Sequence, residues 1–530
     1  MKQLLFTILF FTTFIIACKQ KQPKKVTRDR TITKTTSFNN LFFDSNNIDE
    51  FLEIDTSYAK YKEQFHSFYK ERNYEFAWFD SSGLAEQTHN FYNLLNTAII
   101  ELNDSSFIHP KMDAVYHYFI SNSYKKSTEK QVVDAELLMT AQFFNYAAKV
   151  YKGIDVDAQE LGWFIPRKKV DLNSLLDSVI ATKAKQNKVY IPFNSQYKKL
   201  QEQLIKYNQI QKKYPTDTIA TIVKPLVIGD TLPVITAIKK RLFILGDLAI
   251  IDTINTIDSN FITAIKSFQK RFGLPVNSTI TNKFINELNI PIKQRIETIL
   301  INLERARWLP AEKDSNYILV NIPEYKLHVF DSTINTWDMN VIVGKAATST
   351  VIFNGKLKYI VFSPYWNIPQ NIIKNEILPN VKKDRNYLEK NNMEQYGKGD
   401  SLPLIRQKSG PKNSLGLVKF LFPNNFDIYF HDTPNRDLFS ATNRSFSHGC
   451  IRLGEPKKMA EYLLRKDTNY NSIKIDSLMN LPKEKWIVLP KSVPVFIVYF
   501  TAWVDKNGRL NFRKDIYNHD KKMSEKMFVK

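Results

Sequence analysis

The stretch Asp427-Ile428-Tyr429-Phe430-His431-Asp432-Thr433-Pro434, followed after a polar crossing by Arg444-Ser445-Phe446-Ser447-His448-Gly449-Cys450-Ile451-Arg452-Leu453-Gly454-Glu455, decides the fold. From Asp427 to Phe430 polar and apolar residues alternate, the period of a half-buried strand. Thr433-Pro434-Asn435 is turn chemistry, so His431 is expected at a strand end. Glu455-Pro456 then opens an amphipathic helical run through Leu464. Two histidines and a thiol thus meet at the mouth of a sheet.

A free thiol titrates near about 8.5, so a nucleophilic cysteine needs an adjacent base or a lowered pKa. His431, arriving from the neighbouring strand, can supply the base. Gly449 lets the backbone approach a carbonyl closely, so the N–H groups of Gly449 and Cys450 can face a developing oxyanion, with the His448 ring as a further donor. Arg452 adds positive charge and suits a bidentate contact to a carboxylate. A small buried hydrophobe is the bland alternative for Cys450, and it suits a lone cysteine better than this cluster.

His431, fifteen residues, then Ser447-His448-Gly449-Cys450-Ile451-Arg452-Leu453 closely resembles the signature of the L,D-transpeptidases with the YkuD catalytic domain. The resemblance implies that Cys450 is the acylated nucleophile, His431 its activating base, and His448 with Gly449 the oxyanion side. Arg452, Arg444 and Ser447 are expected at the substrate. Some members carry Asn where this chain has Arg452; Arg is the other common form. No cofactor is implied. His431 and His448 lack a third ligand at motif spacing, so no metal is expected either.

With 530 residues the chain has room for about three domains. Its net charge of +22 suits an anionic polymer or a membrane surface. The charge is spread out, without a compact basic block or a nucleic-acid motif, which argues against nucleic acid as the partner. Neither a Walker loop nor a dinucleotide fingerprint occurs. Only two cysteines are present, Cys18 and Cys450. Leu4 to Ile16 is an apolar run shorter than the roughly 20 residues a bilayer requires. Ile15-Ile16-Ala17-Cys18 resembles the lipobox of bacterial lipoproteins. The expectation is a signal peptide over 1–17, lipidation at Cys18, a flexible tether over 18–45, and a periplasmic protein anchored to a membrane of the cell envelope. Cys450 is then the one remaining thiol, with a chemical rather than a disulfide role.

Outward from the motif, the remaining segments fall into place. Residues 46–224 carry helical spacing (Tyr58, Tyr61, Phe65, Phe68, Tyr69; then Leu137, Leu138, Ala141, Phe144) and resemble the helical scaffold domain of the larger, YcbB-like members, with Tyr197 to Tyr207 returning to it. These aromatics read as core. Residues 225–291 resemble a small three-helix peptidoglycan-binding module, with a spacer as the alternative. A connecting helix over 292–314 is stopped by Pro310. Short β-branched and aromatic runs at Tyr317–Ile322, Lys326–Phe330, Trp337–Val343, Leu357–Phe362 and Val495–Val504 then predict strands, and Asn507-Gly508 a hairpin. The fold class is therefore multidomain α+β: a mostly β catalytic domain over 315–512, a YkuD-like β-sandwich, follows the helical scaffold domain and the three-helix module.

An insertion at about 371–407 is expected to cap the cleft, with Tyr365 and Trp366 lining the groove or serving as core. A basic frayed tail covers 513–530. By resemblance the chain cross-links peptidoglycan stem peptides through a Cys450 thioester, releasing D-alanine and forming 3→3 links, and its cysteine is a carbapenem target. The alternatives are a cysteine hydrolase or L,D-carboxypeptidase of stem peptides, and a non-catalytic lipoprotein that binds the wall glycan.

Overall fold

In a computed structural model, residues 28–31, 41–102, 104–121, 126–167, 169–185, 194–214, 217–252, 254–310, 316–331 and 334–528 are described. The leader and the lipidation site expected at Cys18 lie outside them. The chain forms two compact units: one takes in residues to Asn96, Ser106–Ala147 and Asp171–Val189, and the other takes in Thr97–Ser105, Ala148–Val170 and Tyr190–Lys530.

In the first unit, Glu129–Ala147 is a helix buried on nearly every side, as its unbroken apolar run requires. Phe65, Phe91 and Trp78 pack against its Phe143 and Phe144, Phe65 meeting Phe144 edge-on at 5.3 Å. Its one buried charge, Glu136, accepts hydrogen bonds from the Tyr69 hydroxyl and the Ala77 and Trp78 amides. The aromatics read as core are core.

In the second unit, helices Val234–Ile244, Ser259–Arg271 and Asn282–Leu288 form the expected three-helix region, the last two capped by Asp258 and Thr281. Helix Ser195–Lys213 packs along helix Ile292–Trp308. The cause is polar as well as apolar: the Gln196 side chain pairs with both backbone groups of Val504, at 2.8 and 3.0 Å.

Nine strands follow, ordered Ser445–Ser447, Ile334–Gly344, Ile451–Leu453, Phe430–His431, Val418–Leu421, Phe353–Phe362, Lys485–Val498, Asn316–Asn321, Lys326–Asp331. The last also pairs with Ile334–Gly344, so the sheet closes on itself. Ile360, Phe362, Val418, Phe420, Phe430, Ile451 and Leu453 point into the core. The intervening residues Val361, Lys419, His431 and Arg452 face the other way.

Three expectations need correction. Strand Lys485–Val498 starts earlier than expected because Pro490 and Pro494 disguise it; the ladder shifts register between Val488 and Val493 to accommodate the missing donors. Asp427–Ile428 is a turn rather than strand, with Asp427 at φ 53. There the Asn424 side chain takes the Phe426 and Ile428 amides and the Ile428 carbonyl, leaving little for a ladder. The expected frayed tail contains helix His519–Met527, whose Asp520 pairs with buried Arg305 at 2.5 Å and whose Met523 is buried.

The expected insertion carries helical turns Gln370–Ile372, Ile373–Ile377 (a π turn) and Leu378–Lys383. Strand Pro403–Gln407 then pairs with Trp366–Asn367 on one edge and with Met393–Lys398 on the other. It has its own small core of Ile368, Ile372, Ile373, Ile377 and Ile405. Among the described residues no helix is long and apolar enough to cross a membrane.

Candidate active site

The sheet sets the geometry. Strands Phe430–His431 and Ile451–Leu453 run parallel with Phe430 opposite Ile451 and His431 opposite Arg452. Cys450 therefore enters beside Tyr429, one strand spacing of about 4.8 Å from the histidine's strand and on the same face. His431 is 5% exposed, and its Nδ1 lies 2.6 Å from the Asp432 carbonyl oxygen. A carbonyl only accepts, so Nδ1 carries the proton and Nε2 presents a lone pair. Burial, then Arg452, push the imidazole pKa down to about 3, with Lys419 adding to the effect, so the ring is neutral at physiological pH.

The Cys450 thiol is half-buried, with Sγ 3.5 Å from the Asp427 carbonyl oxygen. Burial raises its pKa; the Tyr429 amide and hydroxyl, and more weakly Arg452, oppose that rise. At rest the pair is accordingly thiol and imidazole rather than an ion pair. Tyr429 was not singled out from the sequence, where it reads only as an alternating strand residue.

Ser447 to Cys450 form a tight turn. The Ser447 hydroxyl donates to the Cys450 carbonyl at 2.6 Å and accepts from the Gly449 amide at 3.1 Å. Gly449 sits at φ 117, a conformation that glycine accepts without strain. Thr350, 1% exposed, donates to the Gly449 carbonyl at 2.8 Å and accepts from the Gly344 amide, while Thr348 donates to the Ser447 carbonyl. This threonine cradle also escaped the sequence reading, since serine and threonine in a polar loop carry no distinctive signal.

Several expected site residues have other duties. The Gly449 N–H is taken by Ser447, which leaves the Cys450 N–H and the His448 ring for an oxyanion. Ser447 shapes this turn. Arg444 donates to the carbonyls of Val341, Ala441 and Tyr325. Arg452 stays available: its Nε is buried without a hydrogen-bond partner. Tyr365 lies under the Arg406 guanidinium at 4.3 Å, and Trp366 packs on the small core of the insertion. His448 is half-exposed and its Nε2 lies 3.4 Å from Glu376, in the π turn of the insertion. The insertion thus touches the catalytic motif through one carboxylate.

Asp432 anchors the base. It accepts from the Leu417 and Thr433 amides and from Arg436. Among the described residues no group of three His, Cys, Asp or Glu side chains is placed to hold a metal ion.

Residues 315–475 match the family model of the L,D-transpeptidase catalytic domain, YkuD, and residues 63–204 match that of the Scaffold domain. A Haemophilus influenzae protein named for the L,D-transpeptidases is 32% identical over 244 residues, 43% of this chain. The match covers 49% of that relative, so the chain spans about half its length. Solved L,D-transpeptidases include one from Xylanimonas cellulosilytica at 13% identity, covering 53% of this chain and 100% of that one, with a TM-score of 0.19. Another, from Stackebrandtia nassauensis, has 14% identity, coverage of 54% and 97%, and a TM-score of 0.22.

Proposed function

Because this chain belongs to the L,D-transpeptidases, with a YkuD catalytic domain and a Scaffold domain, we propose that it joins peptidoglycan stem peptides through a thioester on Cys450. The observation that carries this reading is the hydrogen bond from His431 Nδ1 to the Asp432 carbonyl at 2.6 Å, which leaves Nε2 an acceptor on the sheet face that bears the thiol. In the first half-reaction Nε2 takes the thiol proton as Sγ attacks the carbonyl of the third stem residue. The oxyanion that forms is held by the Cys450 N–H and the His448 ring. Collapse breaks the bond to the terminal D-alanine, whose amine receives the proton from His431. In the second, the side-chain amine of a diamino acid on a neighbouring stem attacks the thioester. It passes a proton through His431 back to the departing sulfur, giving a 3→3 link. Support for a transferase over a hydrolase comes from the insertion, whose contact to His448 keeps a covering element beside the thioester, where it limits water.

The reading also places the chain in the cell envelope, on the periplasmic side and tethered through a lipid at Cys18. It makes Cys450 a target for carbapenems. The three-helix region over 225–291 is proposed to hold glycan.

The test is intact mass of the protein carrying Cys18→Ser after incubation with tetrapeptide muropeptides. Adduct on Cys450 with dimeric products is expected, and Cys450→Ala abolishes both. Release of tripeptide alone means a hydrolase. Absence of any adduct defeats the mechanism and leaves the wall-binding lipoprotein.

A further inference from the structure

The face of the sheet that bears Cys450 continues past the catalytic pair. Lys419 lies directly opposite His431, Val361 opposite Lys419, and Trp486 opposite Val361. Direct partners in a ladder point to the same side, so Trp486, Lys419, His431 and Arg452 form one row across the cleft face. Lys419 is largely desolvated, which lowers its pKa. Its ammonium lies 5.7 Å from the centre of the Trp486 ring, and that indole is 47% exposed. Among the described residues Lys419 forms no ion pair. Glu484, the acid that acts on it, is already engaged: it accepts from the Trp486 indole at 3.1 Å and from the Tyr365 amide at 3.4 Å. That carboxylate holds Trp486 and Tyr365 and acts on the lysine without forming an ion pair with it.

A partly covered ammonium that forms no ion pair among the described residues, with only Glu484 acting on it from a distance, is incompletely neutralised in the free protein. An incoming anion relieves it. We infer that Lys419, with Trp486 as its apolar wall, is a subsite for a carboxylate of the acyl-donor peptide. The inference rests on the proposed stem-peptide reaction at Cys450 and deepens it.

Distance selects which carboxylate. Lys419 is two strands from Cys450, roughly 10 Å across the sheet, and offset along it by about two residues. The carboxylate of the leaving D-alanine sits within one residue of the scissile bond, too near to reach Lys419, and it suits Arg452. A free carboxylate on the residue that precedes the attacked one, several bonds farther along the donor, spans the gap. Lys419 thus selects donors with an acid there, and Trp486 covers the chain between.

The experiment uses the full chain with Cys18→Ser and two synthetic tetrapeptides. One carries a free carboxylate at its second residue, and in the other that group is a carboxamide. Acyl-enzyme formation is followed by mass, and binding by calorimetry on the Cys450→Ala form. For Lys419→Gln we expect KM for the acidic peptide to rise roughly tenfold or more, with kcat nearly kept and the carboxamide peptide unaffected. Equal losses on both peptides, or a fall in kcat alone with a shifted pH profile, would mean that Lys419 only tunes His431, and the subsite is overturned. If the unsubstituted protein forms no adduct, the parent reaction is wrong. Calorimetry then decides the subsite: binding of the acidic peptide that Lys419→Gln does not weaken, or no binding at all, removes it as well.

Discussion

The resting charge state of the catalytic pair makes a sharp prediction about thiol reactivity. His431 is held neutral, its pKa pushed down to about 3 by burial and Arg452, while burial raises the Cys450 thiol. An ordinary thiol is about 3% ionised at pH 7, and Cys450 lies below that. Alkylation of Cys450 by iodoacetamide, in the Cys18→Ser protein, should therefore climb about tenfold per pH unit between pH 6 and 8. A preformed thiolate–imidazolium pair would instead give a flat profile from mildly acid pH upward. His431→Ala should leave the alkylation profile nearly intact, because the small free reagent reacts with whatever thiolate exists. The same substitution should slow acylation by the stem peptide about 10²–10⁴-fold, since that step needs the base. The readout is the rate of mass gain at Cys450 across pH. A plateau between pH 4 and 8, or equal loss of both reactions in His431→Ala, refutes the neutral-pair mechanism.

Other expectations follow from the same geometry. Glu136, buried and with its pKa raised to about 7, holds its proton more tightly in the folded than in the unfolded chain. Stability of the first unit should be full below about pH 4.5 and fall by about 3 kcal/mol as pH rises to about 7. Urea-dependent protection of peptides from Glu129–Ala147 measures this, and a flat dependence would contradict it. At Gly416, φ is 63 and an added Cβ would lie 2.3 Å from Asp432 Cγ. Gly416→Ala should displace the Asp432 anchor, cost about 1–3 kcal/mol and lower kcat, seen in melts and acylation rates together. Asp520→Asn strands the buried Arg305 guanidinium and should cost about 3–5 kcal/mol by thermal melts, with Arg305→Met in the same chain recovering much of the loss.

The candidate nucleophile, its candidate base and much of the strand succession around them are legible in the chain itself. Cys450, His431 and Gly449 stand at short, fixed sequence spacing, and side-chain chemistry at such spacing survives translation into space. Alternation marked Phe430, and helical spacing marked Phe65, Phe68, Tyr69 and Phe144, because apolar periodicity directly reports which face is buried. Residues whose role depends on long-range hydrogen bonds were not legible in this way. The three carbonyls that the Arg444 guanidinium meets, two of them more than a hundred residues away, leave no local signal. Ser447 occupies the Gly449 N–H, a fact of turn geometry rather than composition. The seat of helix Ser195–Lys213 depends on a pairing between Gln196 and Val504, 308 positions apart. Lys419 became visible only once sheet register set it opposite His431, with a ring beside it and no ion pair among the described residues. Local pattern settles which residues can do chemistry; tertiary pairing decides which polar groups are left free to do it, because each buried donor or acceptor is spent on the first partner the fold supplies.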